Sequence, residues 1–185
     1  MRVSIALCCI LVAGCTSRET RTREAELLYN YDVEERIDSL GIVLAAPALP
    51  PGVRLVTAVR TGNLVYLSGN GPLPAGDRPG YYGKVGKDIT VEDGYAAARS
   101  TGISLLKVLR DEIGDLNKVV RIVKVFGMVN CEPAFTEHPR VINGFSELMI
   151  KVFGKRGEHA RSAVGMTSLP WNIACEVEMI VEVVD

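Results

Sequence analysis

The sequence has 185 residues, of which 48% are hydrophobic and 23% charged, enough apolar side chain for one ordinary globular core plus an extension. Its formal net charge is −1 and its basic residues are scattered rather than clustered, which argues against a nucleic-acid-binding surface.

The chain opens with Arg2, an apolar run from Val3 to Val12, and small residues leading to Cys15. Such a run is too short to span a bilayer and has the form of a bacterial lipoprotein signal, so residues 1–14 are expected to be removed. The Cys15 thiol would then take a lipid that anchors the mature chain to a membrane on the periplasmic side. No Asp follows Cys15, which points to the outer membrane. Residues 15–32 mix Arg18, Arg21 and Arg23 with Glu19, Glu24 and Glu26, a composition suited to a solvated tether. One domain is expected from residue 33 to residue 185.

Within it, residues 31–40 predict a short helix stopped by Gly41, and Pro47, Pro50 and Pro51 break regular structure after it. Two apolar runs, Val53 to Val59 and Leu64 to Ser68, flank Thr61-Gly62-Asn63 and predict a β-hairpin. The hairpin exits through the glycine-rich stretch Ser68-Gly69-Asn70-Gly71-Pro72, where backbone N–H groups could approach a small anion or carbonyl, although such stretches are more often plain turns. Asp77 to Gly86 reads as a loop with a short edge strand near Lys84 and Val85. Thr90 to Ile113 predicts the longest helix, with Thr90 as N-cap, Asp93 three residues on, and Gly114 as the stop. Val119 to Val129 predicts a central strand apolar on both faces for much of its length. A second helix is expected from Pro139, ending near Gly154 among Lys151, Lys155 and Arg156.

Arg161 opens a further strand, and Ile173 to Val184 alternates: Cys175, Val177, Met179, Val181 and Val183 on one face, Glu176, Glu178 and Glu182 on the other. The intervening Leu169-Pro170-Trp171-Asn172 turn would fold the two strands into a hairpin that carries Arg161 toward Glu176 or Glu178. A guanidinium matches a carboxylate ligand and a nearby glutamate can move a proton, but the same pair could equally be a surface or interface ion pair. His159 is a candidate second acid/base group, and Trp171 could wall a pocket or meet another subunit. His138, beside Pro139, reads as a cap or an exposed side chain. The two histidines lie far apart with no cysteine or carboxylate cluster, so no metal site is expected, and Cys131 and Cys175 read as buried free thiols that could alternatively pair. The element order is β-β-(β)-α-β-α-β-β, an α+β sheet with two helices on one face.

Gly62-Asn63-Leu64-Val65-Tyr66-Leu67-Ser68-Gly69, then Ala160-Arg161-Ser162, then Leu169-Pro170 and Glu176-Val177-Glu178 in that order resemble the YjgF/RidA family, also called the L-PSP endoribonuclease family. His159-Ala160-Arg161-Ser162-Ala163-Val164-Gly165 resembles its longer subgroup, and the likeness covers about residues 35 to 185. The resemblance implies a chorismate-mutase-like fold with a mostly antiparallel six-stranded sheet, a homotrimer, small-molecule clefts between subunits and no cofactor. It implies that Arg161 binds a substrate carboxylate, and that Glu176 positions the water that hydrolyses an enamine or imine to a 2-oxo acid and ammonia. Ser68, Gly69, Ser162, His159 and Trp171 would complete the binding site. Ala163 stands where the deaminase branch often has cysteine, and Leu55 where it has tyrosine. Three functions are therefore expected to compete: an imine/enamine deaminase, a non-enzymatic binder of small carboxylates at the cell envelope, and an endoribonuclease, the last disfavoured by the charge balance.

Overall fold

A computed structural model of the chain describes residues 30–46, 49, 51–74 and 81–184, and Tyr31–Asp185 forms one compact unit. The signal-peptide and Cys15 readings, and nearly all of the tether, lie outside the described residues.

Asp32 caps the first helix, α1 (Val33–Ser39), by accepting a 3.0 Å hydrogen bond from the Glu35 N–H. The helix buries Val33 and Ile37, and its Glu34 accepts from the Leu116 N–H at 3.1 Å. The predicted hairpin forms as β1 (Ala58–Thr61) and β2 (Leu64–Asn70), with Thr61 opposite Leu64 and Gly62 in the turn at φ +59°. β1 starts later than the apolar run suggested, at Ala58 rather than Val53.

The long helix α2 (Val91–Ile113) begins as predicted. Thr90 accepts from the Asp93 N–H at 3.0 Å while the Asp93 carboxylate accepts from the Thr90 N–H at 3.1 Å, and Gly114 closes the other end at φ +81°. Helix α3 (His138–Phe153) carries Pro139 in its first turn, where the missing N–H is not needed. His138 is the first helical residue rather than a cap. Its ring meets Phe135 edge-on at 5.3 Å, with Nε2 3.4 Å from the Cys131 sulfur.

The two helices cross so closely at Gly144 that a Cβ there would lie 2.0 Å from the Tyr95 carbonyl oxygen. Leu105 and Leu109 of α2 and Phe145 and Leu148 of α3 are fully or almost fully buried beneath them, each worth about 1.5–3 kcal/mol of burial.

Among the described residues the sheet has five strands rather than six, in the order β1-β2-β5-β3-β4, with β3 (Val119–Asn130), β4 (Ala160–Met166) and β5 (Cys175–Val183) following the helices. The expected edge strand near Lys84 is reduced to isolated bridges, Val85 with Cys131 and with Ile89, because Gly83 and Gly86 on either side sit at φ +112° and +89° and interrupt the extended backbone.

The sheet is mixed. β4 runs parallel to β3, so β3, α3 and β4 make a crossover unit. The expected β4–β5 hairpin does not form: β5 pairs with the opposite edge of β3, antiparallel, with Val125 lying between Arg161 and Met179.

Both α2 and α3 lie on one face of the sheet. Residues of β5 alternate as predicted, Cys175, Val177, Met179, Val181 and Val183 being buried on that face. β3 also alternates, so it is covered by helices on one face only. On the other face Tyr66 and Val59 are exposed, and Leu64, Phe126, Met128, Val164 and Ile180 are half-buried.

Candidate functional site

Register decides where the two principal candidates point. Glu176 pairs with Met128, whereas Val177 pairs with Gly127, whose Cα faces Ile142 of α3. Glu176 therefore lies on the open face of the sheet. There its carboxylate rests over Gly69: a Cβ on that residue would lie 2.0 Å from Glu176 Oε1. β2 is irregular between Leu67 and Asn70, and this break in the ladder brings Gly69 beneath the carboxylate. Burial, and secondarily the charge of Glu178, raises the Glu176 carboxyl above its ordinary value. Such a group can hold a proton and give it up, which is what an acid/base role needs.

Ser68 stands beside this carboxylate but is committed to structure, its hydroxyl donating to the Val56 carbonyl at 2.7 Å. Asn70, on the helix side, accepts from the Ser104 hydroxyl at 3.0 Å and donates to the Ser68 carbonyl at 3.1 Å, which ties the loop to α2.

Arg161 pairs with the buried Val125 and points the other way, toward α3. Its Nη1 donates to Asn143 Oδ1 at 3.0 Å and to Ser146 Oγ at 2.9 Å. Ser146 Oγ is also 3.0 Å from His159 Nε2, and His159 Nδ1 is 2.6 Å from the Gly157 carbonyl oxygen, which can only accept. His159 therefore carries its proton on Nδ1 and receives the Ser146 hydroxyl at Nε2. Burial, reinforced by the Arg161 charge, holds the ring below the ordinary histidine value.

Burial also lowers the Arg161 guanidinium from its ordinary value, though it remains a cation. His159, just before β4, thus joins Arg161 in a hydrogen-bonded chain, while Asn143 and Ser146 were missed by sequence reasoning. Their i, i+3 spacing on α3, a helix that is otherwise rich in core residues, was the available signal.

Arg161 and Glu176 do not meet within one chain. They lie on either side of β3, two strand spacings apart across the sheet and three residues along it, roughly 14 Å between Cα atoms, and their side chains leave opposite faces. The intrachain ion-pair reading fails for the same reason.

Ser162, next to Arg161, faces the open side and accepts from Lys124 Nζ at 3.0 Å. Trp171 is 62% exposed and adopts φ +51°, followed by Asn172 at φ +59°. Asn172 is held in this left-handed turn by Asn130 Nδ2, which donates to its Oδ1 at 3.0 Å, and by the Gly83 N–H, which donates to its carbonyl at 2.7 Å. Trp171 thus presents most of its side chain to solvent in the single chain.

Cys131 and Cys175 are free and buried, and burial pushes the Cys175 thiol up to about 12. Among the described residues no group of three or more His, Cys, Asp or Glu side chains could hold a metal ion.

Residues 52–183 match the profile of a protein family described as "YjgF/chorismate_mutase-like, putative endoribonuclease". Over 152 residues the chain is 40% identical to Protein TCP17 of Trypanosoma cruzi, covering 81% of this chain and 93% of that one. Among solved structures, the protein Atu1372 of Agrobacterium tumefaciens has a TM-score of 0.74 at 34% identity, covering 90% of this chain and 99% of its own. A protein of Shewanella oneidensis described as a "putative endoribonuclease" has a TM-score of 0.76 at 29% identity, covering 83% and 100%.

Proposed function

Because the chain belongs to the YjgF/chorismate mutase-like family, we propose that it is a hydrolytic deaminase of reactive enamine and imine intermediates, releasing a 2-oxo acid and ammonia. The observation that carries this reading is the Glu176 carboxyl, half-buried over Gly69 with its proton affinity raised. An imine carbon becomes electrophilic when its nitrogen is protonated. Glu176 in its acid form supplies that proton, and as the carboxylate it then takes one from the attacking water. The tetrahedral carbinolamine collapses to the ketone of a 2-oxo acid as the C–N bond breaks and ammonia leaves. Arg161 pairs with the substrate carboxylate.

Since the two groups leave opposite faces of one sheet, the complete site joins Arg161 of one subunit to Glu176 of another. β4 supports this arrangement, being the edge strand of the sheet among the described residues, as does the partly apolar open face of the sheet. We read the assembly as a homotrimer with clefts between subunits. The sequence pattern around Cys15 further supports a lipid-anchored protein of the longer subgroup on the periplasmic side, at the outer membrane.

A second reading, a carboxylate-binding protein without catalysis, is favoured by one observation: Arg161 is held by Asn143 and Ser146 of α3, with no acidic partner among the described residues. Ribonuclease activity, which the family description mentions, is disfavoured by the net charge of −1.

The test is ammonia release from an amino-acid-derived imine generated in situ, with the wild type run beside Arg161→Ala. Acceleration by the wild type and its loss in the variant supports the deaminase. Pyruvate binding without acceleration supports the binder, and an unchanged rate in Arg161→Ala removes the arginine from the site.

A further inference from the structure

The hydrogen-bonded chain behind Arg161 says how a ligand would be held. A guanidinium has five N–H donors, two on each terminal nitrogen and one on Nε. Both Nη1 donors are spent inside the fold, one on Asn143 Oδ1 and one on Ser146 Oγ. Nε and Nη2 donate to no described residue, so the edge they form is the part of the fork left for a ligand. The two Nη1 bonds fix the guanidinium plane from two directions, since Asn143 and Ser146 lie one helical turn apart on α3.

The polarity of the chain is also set. His159 Nδ1 donates to the Gly157 carbonyl, and Nε2 therefore accepts the Ser146 proton. The Ser146 oxygen is thereby left with only lone pairs to offer Arg161. Phe145 packs edge-on against the imidazole at 6.1 Å and leaves the ring little room to turn.

We propose that Asn143 and Ser146 are positioning residues that aim the Nε–Nη2 edge of Arg161 at one small monocarboxylate, taken side-on, and that His159 orients the Ser146 hydroxyl rather than transferring a proton. This rests on the reading that Arg161 is the carboxylate anchor. It does not rest on the deaminase chemistry, because a non-catalytic binder would use the same edge. With Nη1 occupied, the guanidinium presents one bidentate edge and not two, so single carboxylates fit and a ligand needing both edges does not.

The experiment titrates the full chain with pyruvate, followed by ligand-observed NMR, alongside four variants. Ser146→Ala removes an acceptor from a charged donor and is expected to weaken binding by about tenfold or more. Ser146→Thr keeps the hydroxyl and restores binding, which separates loss of the bond from loss of the fold. His159→Phe follows Ser146→Ala, whereas His159→Gln, which retains an acceptor, does not. Where turnover is measurable, the loss in Ser146→Ala appears in KM with kcat nearly unchanged.

Wild-type pyruvate binding with this variant pattern but no ammonia release would discard the deaminase and support the positioning role. A Ser146→Ala variant that binds pyruvate as the wild type does, or a wild type that binds none, would overturn the proposal.

Discussion

Glu176 sits where its charge is unwelcome, and that has a measurable cost. Burial and Glu178 raise its carboxyl in the folded chain above the unfolded value. A group raised in this way contributes stability that is fully present below its unfolded value and lost as pH rises through the folded one. Near pH ~7 the carboxylate therefore burdens the fold. Glu176→Gln should raise the melting temperature at about pH 7 while abolishing ammonia release, and the gain should shrink toward about pH 4, where the wild-type carboxyl is itself protonated. A variant less stable than the wild type at neutral pH would show that the carboxylate is a structural acceptor. Alternation put Glu176 on one strand face with Glu178 and Glu182 without choosing between them, and only the motif likeness singled it out together with Arg161. Their surroundings were legible only in part: the motif likeness named Gly69, but Asn143 and Ser146 reach Arg161 from α3, an element distant in the chain from the Ala-Arg-Ser motif.

At the scale of elements, local signals carried furthest. The Thr90–Asp93 capping box, the Gly114 stop, Pro139 in the first turn of α3 and the alternation of β5 each act within a few residues, and all appear in the structure as read. The expected β4–β5 hairpin is absent because periodicity reports which face a residue takes and not which strand lies beside it. The end of β3 enters between the two: the Asn130 N–H donates to the Ala174 carbonyl at 2.9 Å and the Cys131 N–H to the Met166 carbonyl at 3.4 Å. α3 similarly owes its place to a residue with no side chain. A methyl group at Gly144 would strike the backbone of α2 at the Tyr95 carbonyl, where no flexible end can yield. Gly144→Ala should destabilise the chain by about 3 kcal/mol and, by shifting α3, disturb Arg161 as well. Thermal unfolding checks this, and an unchanged midpoint would mean that the helices part freely.

For the whole molecule, the separation of the two principal side chains is the deciding fact. A single chain presents an arginine on the helix side of an edge strand and a proton-binding glutamate on the open side of a central one, roughly 14 Å apart. No rotamer change brings them together through the sheet. A second copy can. Exposed Tyr66 and Val59, with half-buried Phe126 and Met128 on the same face, supply apolar surface that association would cover. The family resemblance implies a cleft between subunits, and our proposal of a shared site rests on that resemblance together with the sheet register.

The measurement that tests this most directly is complementation. Arg161→Ala and Glu176→Gln are each expected to lack ammonia release when produced alone. Co-expressed, their subunits mix, and every interface that pairs the intact arginine of one chain with the intact glutamate of another is whole. Random association should recover roughly a quarter of the wild-type rate. Mixed oligomers as inactive as either parent, assayed beside an active wild type, would contradict a site shared between subunits.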